Sequence, residues 1–286
     1  GSVVHRQRGL RDLRQLFLGS EGALGILTEV TVRIKPLPAA TEYGAWTFPN
    51  FTAGADAFRE LTQRGIRPTV LRLSDKSETR VNATMGGHLT RIGGCLAIAT
   101  FEGTPADAAA TLATTNAVFA SHGAKSRGDA PARSWERGRF GSPTLRDTLL
   151  DVGVLAETLE TAATWAQLAE VKAEVTAALT DSLTASGTKP IIMCHISHVY
   201  PAGASLYFTV VAALTTEPAA QWARAKTAAS DAIIAAGGTI THHHAVGVDH
   251  KPWLRAEIGD LGVAILRAVK ATVDPKGILN PGKLIP

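Results

Sequence analysis

Cysteine is nearly absent from this sequence of 286 residues: Cys95 and Cys194 are the only two. They stand far apart, each in an apolar run, and cannot build a disulfide framework. They read as buried, reduced thiols of a cytosolic protein. Long apolar runs are also missing, and none approaches the roughly 20 residues that cross a bilayer. The opening Gly1-Ser2-Val3-Val4-His5-Arg6 has no signal-peptide hydrophobic stretch. Neither sign of charge dominates, since 29 Lys and Arg face 25 Asp and Glu, a net charge of +4. That weak bias suits an anionic ligand. No Lys/Arg run with interleaved aromatics accompanies it, so nucleic acid is not the expected partner. No internal repeat is evident. What is present, 45% hydrophobic and 19% charged residues, describes a globular chain able to bury a substantial core in one large domain or two smaller ones.

Turn and period signals divide the chain. Gly19, Gly22 and Gly25 punctuate a turn, and Ile26 to Lys35 then alternate, with Val30, Val32 and Ile34 on one face, as a strand does. Pro36-Leu37-Pro38 is the best linker candidate. Beyond it, strands are expected at 45–48, 70–73 and 95–101. Helices are expected at 51–64 and from Pro105 to Gly123. The Arg-, Gly- and Pro-rich stretch 124–143 reads as a long loop. A helix is expected over 162–183, then strands 191–200 and 205–214 around the turn Pro201-Ala202-Gly203. Two final helices are expected at 217–236 and 253–273. This order predicts an α+β fold, an antiparallel sheet with helices on one face.

Three adjacent imidazoles, His242, His243 and His244, are poor core material and good material for proton transfer, anion binding or metal ligation. Embedded between Thr241 and Ala245, they do not look like a tag. If the run is extended, His242 and His244 face one way and His243 the other, so at most two address one site. No Cys or His pair stands at finger or zincin spacing, which favours proton or anion work over a metal. Tyr200 closes a strand just before a Pro-Ala-Gly turn, where a phenol can be held at a cavity mouth or simply pack. His195 and His198 precede it on opposite strand faces and are poor partners for one metal. Arg72, a cation in an apolar strand, and Arg146, beside Asp147, are each either structural or bidentate anion binders. The glycine turn at 19–25 is neither a P-loop nor a dinucleotide fingerprint, because a strand follows where those motifs need a helix.

Leu18-Gly19-Ser20-Glu21-Gly22-Ala23-Leu24-Gly25-Ile26-Leu27-Thr28-Glu29 resembles the segment that closes the flavin domain of FAD-linked oxidases of the vanillyl-alcohol oxidase superfamily. Val273-Asp274-Pro275-Lys276-Gly277-Ile278-Leu279-Asn280-Pro281-Gly282-Lys283 resembles the common C-terminus of that group. Within it, His242-His243-His244-Ala245-Val246-Gly247, Cys194 to Gly203, and Leu145-Arg146-Asp147 with Glu157 to Thr161 resemble the alkyldihydroxyacetonephosphate synthases. Lactate- and glycolate-oxidising relatives typically carry Gly-Glu-His-Gly at the histidine position. The resemblance covers essentially the whole chain but only the C-terminal half of the family's usual length.

The resemblance implies FAD as cofactor, contacted by Glu21, Gly22, Ala23, Leu24, Gly25, Ile26 and Leu27. It implies catalytic roles for Tyr200, His242, His243 and His244, and substrate binding by Arg146 and Arg72. No metal is implied. The implied reaction exchanges the acyl group of acyl-dihydroxyacetone phosphate for a fatty alcohol, with the flavin undergoing no net redox change. Residues 1–38 become the remnant of an FAD-binding domain, 39–274 a substrate (cap) domain, and 275–286 a tail returning to the FAD domain. The part of the flavin domain carrying the main pyrophosphate loops is absent from this stretch, so it is expected to bind FAD poorly by itself. The alternatives are an FAD-linked 2-hydroxy-acid dehydrogenase and a non-catalytic phosphate- or lipid-binding module. A bacterial cytoplasmic setting is expected, with room for peripheral membrane contact and a homodimer; no peroxisomal Ser-Lys-Leu ending is present.

Overall fold

The computed structural model describes residues 13–85, 93–140 and 142–286. Residues 1–12, the start of the expected flavin-domain remnant, lie outside the described residues. Along the chain run α1 (Arg14–Phe17), β1 (Ala40–Phe48), α2 (Phe51–Gln63), β2 (Val70–Ser74), α3 (Lys76–Met85) and β3 (Cys95–Gly103). They are followed by α4 (Pro105–Ser121), β4 (Lys125–Ser126), α5 (Ala130–Gly138), α6 (Ser142–Asp151), β5 (Val154–Thr164) and α7 (Leu168–Ala185). The last are β6 (Ile191–Ile196), β7 (Gly203–Ala213), α8 (Pro218–Ala235) and α9 (Lys251–Val273). No helix among the described residues is long and apolar enough to cross a membrane.

Compactness divides the chain into one unit of Lys35–Thr239 and another made of Gly1–Ile34 with Ile240–Pro286. Residues 240–274 therefore group with the N-terminal segment, whereas the sequence reading counted them with the cap domain. The tail 275–286 falls in the same unit.

The larger unit is built on one antiparallel sheet in the order β4-β1-β3-β2-β6-β7-β5. The expected α+β architecture is what forms. Side chains alternate along each strand, and one sheet face (Trp46, Phe48, Leu71, Leu73, Phe208 and their neighbours) is covered by α2, α4, α7 and α8. Each helix presents an apolar row at helical spacing, such as Leu168, Val171, Val175, Leu179 and Leu183 of α7. Asn50 caps α2 by accepting from the Ala53 N–H at 2.9 Å, and Thr104 caps α4 just before Pro105. On the opposite face only the short α5 adds a small apolar cluster, Ala132 against Ala45 and Ile98 of β1 and β3. Elsewhere that face mixes apolar side chains such as Met193 and Val211 with polar ones such as Arg72, His195 and Glu160.

Several expectations are corrected. Residues 154–164 form a strand, where a helix was expected from 162. They pair along their whole length with β7, so tertiary pairing overrides the helix preference of Ala, Glu and Leu. The expected loop at 124–143 contains β4 and α5. α3 was not foreseen, although Asp75-Lys76-Ser77-Glu78 carries a capping pattern: Asp75 Oδ1 accepts from the Glu78 N–H at 2.8 Å. Ile26 to Lys35 are not a strand. Val30, Val32 and Ile34 are exposed, and among the described residues no strand lies beside this stretch. Alternation alone cannot hold an extended segment whose backbone groups have no neighbour. In the smaller unit α9 is interrupted at Gly259, whose φ of 71° breaks the helix.

Phe119 is the centre of the larger unit's aromatic packing, meeting Trp46 edge-on at 4.9 Å, Phe48 at 5.1 Å and Phe58 in a stacked arrangement at 5.7 Å. Phe119→Ala is predicted to destabilise this unit by about 3–5 kcal/mol, read as a lowered denaturant midpoint with unchanged slope. A loss under about 1 kcal/mol would contradict the packing described.

Candidate functional site

In the larger unit the polar sheet face carries a row of functional groups. Leu71 and Leu73 turn toward the helices, so Arg72 between them points to the other side. Its Nη1 lies 2.9 Å from Nε2 of His195 on β6, and its Nη2 lies 2.9 Å from Nδ1 of the same ring and 2.5 Å from Oε1 of Glu78 on α3. Nδ1 of His195 is 3.1 Å from the same Glu78 oxygen. A consistent assignment has Arg72 donating to Nε2, and Nδ1–H donating to Glu78. The imidazole stacks on Tyr207 of β7, with ring centroids 4.8 Å apart. Tyr207 in turn sits opposite buried Glu160 of β5 in register.

The electrostatics follow from burial. Desolvation works against the Glu78 charge, but Arg72 and the His195 hydrogen bond outweigh it and hold the carboxyl down to about 2. Burial pushes the His195 imidazole below its usual value despite the neighbouring carboxylate. The arrangement is thus a cation and an anion bridged by a neutral imidazole.

Tyr200 lies in the turn joining β6 and β7. Its N–H donates to the Gly203 carbonyl at 2.8 Å, and its own carbonyl accepts from Trp165 Nε1 at 3.0 Å. Gly203 is required there, because a Cβ would stand 2.1 Å from the Ala163 carbonyl oxygen. Tyr200 as a whole is 44% exposed, on a backbone fixed by these hydrogen bonds. Arg146 is on α6 at the surface and pairs with Glu157 of β5 at 2.5 Å. His198, accepting or donating with Ser197 Oγ at 3.1 Å, has its Nδ1 3.9 Å from Glu160.

In the smaller unit the three recognised motifs are tied to one another. The Glu21 carboxylate accepts from the backbone N–H groups of Val246 and Gly247 at 2.7 and 2.8 Å. The Asn280 side-chain amide donates to the Glu21 carbonyl. Lys270 Nζ donates to the carbonyls of Ala23 and Leu279 and to Asp274 at 2.7, 2.5 and 2.6 Å. Asp274 also accepts from the N–H groups of Ile278 and Leu279. The Lys270 ammonium, aided by these N–H donors, holds the Asp274 carboxyl below its usual value. The histidine run lies directly before the clamped pair. It is a bend and not a strand, and Ala245 beyond it has a φ of 75°. Strand alternation therefore does not govern it: each ring meets the next edge-on, at 5.1 Å for His242–His243 and 4.9 Å for His243–His244.

This geometry divides the seven expected FAD contacts. Ala23 and Leu24 are buried and the Glu21 carboxylate is engaged, so these positions could meet a cofactor only through backbone. Leu18, Ile26 and Leu27 are exposed, and a Cβ at Gly25 would meet nothing within 4 Å. An open apolar surface beside accessible backbone fits a flat ring system such as a flavin. Arg72 meets two partners that the sequence reading did not single out as functional, Glu78 and Tyr207-stacked His195. The capping spacing from Asp75 to Glu78 was the available signal.

Removing the clamp is predicted to free the histidine bend: Glu21→Ala should speed hydrogen exchange at the Val246 and Gly247 amides by about tenfold or more, the worth of a charge-assisted hydrogen bond. Unchanged exchange would contradict it. Acid is predicted to weaken the larger unit. The buried neutral His195 contributes stability above pH 6.5 that is lost as pH falls through its lowered value. Glu78 contributes stability above 4.5 that is lost as pH falls towards 2. In His195→Gln the first of these losses should vanish from a plot of melting temperature against pH.

The chain is 31% identical over 299 residues to an alkyldihydroxyacetonephosphate synthase of Trypanosoma brucei brucei, which spans 96% of this chain and 48% of that protein. It is 30% identical over 297 residues to the synthase of Dictyostelium discoideum, covering 96% of this chain and 49% of that one. It thus spans about half the length of these relatives. A solved structure of an alkyldihydroxyacetonephosphate synthase superposes with a TM-score of 0.74 at 26% identity, covering 97% of this chain and 50% of that chain. Residues 37–284 match the family of FAD linked oxidases, C-terminal domain. The chain belongs to this family of FAD-linked oxidases.

Proposed function

We propose that this chain is the substrate-side half of an FAD-dependent synthase that exchanges the acyl group of acyl-dihydroxyacetone phosphate for a fatty alcohol. The observation that carries this reading is similarity to such synthases over nearly the whole chain, with His242, His243 and His244 present where hydroxy-acid-oxidising relatives typically carry Gly-Glu-His-Gly. In the exchange, the bond between C1 and the ester oxygen breaks and the carboxylate leaves with the electron pair. The alcohol oxygen forms the new bond to C1 and releases its proton.

Bound FAD supplies the covalent chemistry; Gly25, Ile26 and Leu27 offer it the open surface. This chain's own residues handle charge and protons. A carbon beside a carbonyl must lose a proton, which calls for a base such as Tyr200, held on its rigid turn, with imidazole help from His242 to His244. The substrate phosphate calls for cations. Arg72 sits on the polar sheet face, and Arg146, half exposed, can exchange the carboxylates of Glu157 and Asp147 for a more highly charged phosphate. Both substrates are lipids, so contact with a membrane surface belongs to the same reading.

In the full-length flavoprotein, Tyr200→Phe is predicted to lower turnover of acyl-dihydroxyacetone phosphate and fatty alcohol by about 10²–10⁴-fold, with flavin content unchanged. Full synthase activity in this variant would overturn the role of Tyr200. Reduction of the flavin by a 2-hydroxy acid, without ether formation, would overturn the reaction class.

A further inference from the structure

We propose that Glu78 and His195 are positioning residues for Arg72, gripping the guanidinium so that its remaining N–H donors face a phosphate monoester anion. The proposal rests on the reading that this chain binds a phosphate-bearing substrate.

The geometry supports it at three points. Glu78 and His195 are both buried, and they meet Arg72 from different elements, α3 and β6. An arginine has five N–H donors in a rigid plane, and the contacts to Glu78 Oε1 and to the two ring nitrogens of His195 use up only part of that fork. The Arg72 side chain is still 19% exposed, so it is not sealed from solvent. A carboxylate alone would leave the plane free to swing about the ion pair. A second contact on the other terminal nitrogen fixes its orientation, and the Tyr207 stack fixes the imidazole in turn.

The imidazole has to be neutral for this. Protonated, it could no longer accept from Arg72, and two cations would stand 2.9 Å apart. The charged and titratable groups around it are Arg72 of β2, Glu78 of α3, Asp75 just after β2 and Tyr207 of β7. Glu160 of β5 stands beyond Tyr207, and Lys172 of α7 pairs with Asp75 at 3.2 Å. Desolvation outweighs the two carboxylates and keeps the ring neutral at ordinary pH. Acidification protonates the ring and releases Arg72, which gives the clamp a pH signature in substrate affinity that a purely structural role lacks.

The test uses the full-length, FAD-loaded protein with acyl-dihydroxyacetone phosphate as substrate and inorganic phosphate as inhibitor. His195→Phe keeps the stack on Tyr207 and removes the acceptor. It is expected to raise both KM for the phosphate substrate and the inhibition constant for inorganic phosphate by about tenfold or more, the worth of one hydrogen bond to a charged group, with a smaller change in kcat. Glu78→Gln should shift both constants in the same direction. His195→Gln, which retains a hydrogen-bonding group, should recover most of the affinity and should lose the acid limb that His195 contributes to the wild-type KM profile. Should His195→Phe or Glu78→Gln fail to fold, the His195→Gln profile and the wild-type acid limb decide alone. Wild-type KM, phosphate inhibition and pH profile in all three variants, with Arg72→Ala impaired, would overturn the positioning role only. Unchanged KM in Arg72→Ala itself would overturn the reading that Arg72 meets the phosphate.

Discussion

Burying one face of an antiparallel sheet under α2, α4, α7 and α8 is the constraint from which the rest of the larger unit follows. Apolar side chains satisfy that face, and strand alternation then sends every second residue to the other side. The other side is thereby free to carry charge. Arg72, His195, Tyr207 and Glu160 occupy neighbouring strands there, spaced by sheet geometry and not by sequence. A charge placed on that face and partly withdrawn from water must be answered. Glu78, supplied by α3, answers Arg72, and leaving either without its partner would cost about 3–5 kcal/mol.

The smaller unit depends on a different economy of backbone groups. Its segments are irregular, so their N–H and C=O groups need side-chain partners. Glu21, Lys270, Asp274 and Asn280 provide them. This explains in physical terms why the glycine turn, the histidine bend and the Asp-Pro-Lys-Gly-Ile-Leu-Asn-Pro-Gly ending occur in one chain: each supplies the donors or acceptors that another lacks. Glu21, which resemblance alone assigns to the cofactor, spends its carboxylate on the backbone just after the histidines. Its consequence for chemistry is to hold the bend that carries them.

Some features were legible in the residues themselves. Period and turn signals marked α2, α4, α8 and the β6–β7 pair, because each combines a clear apolar rhythm with a cap or a tight turn. The motifs at 18–29, 194–203, 242–247 and 273–283 identified the family. Other features were not legible. β5 is rich in Ala, Glu and Leu and is a strand only because β7 lies beside it. Residues 26–35 alternate like a strand and are not one, because nothing described pairs with them. α3 is short and polar, and with it Glu78 escaped notice.

The sequence by itself determined the composition of the core, the fold class, the family and the identity of the candidate groups Tyr200, Arg72, Arg146 and His242 to His244, since these depend on residue type and local spacing. Only the tertiary structure decided that His195 and Glu78 hold Arg72, that the histidine run bends, and that Glu21 clamps Val246 and Gly247. Those contacts join residues six to more than two hundred positions apart, and strand register and loop path bring such groups together, which no local pattern encodes.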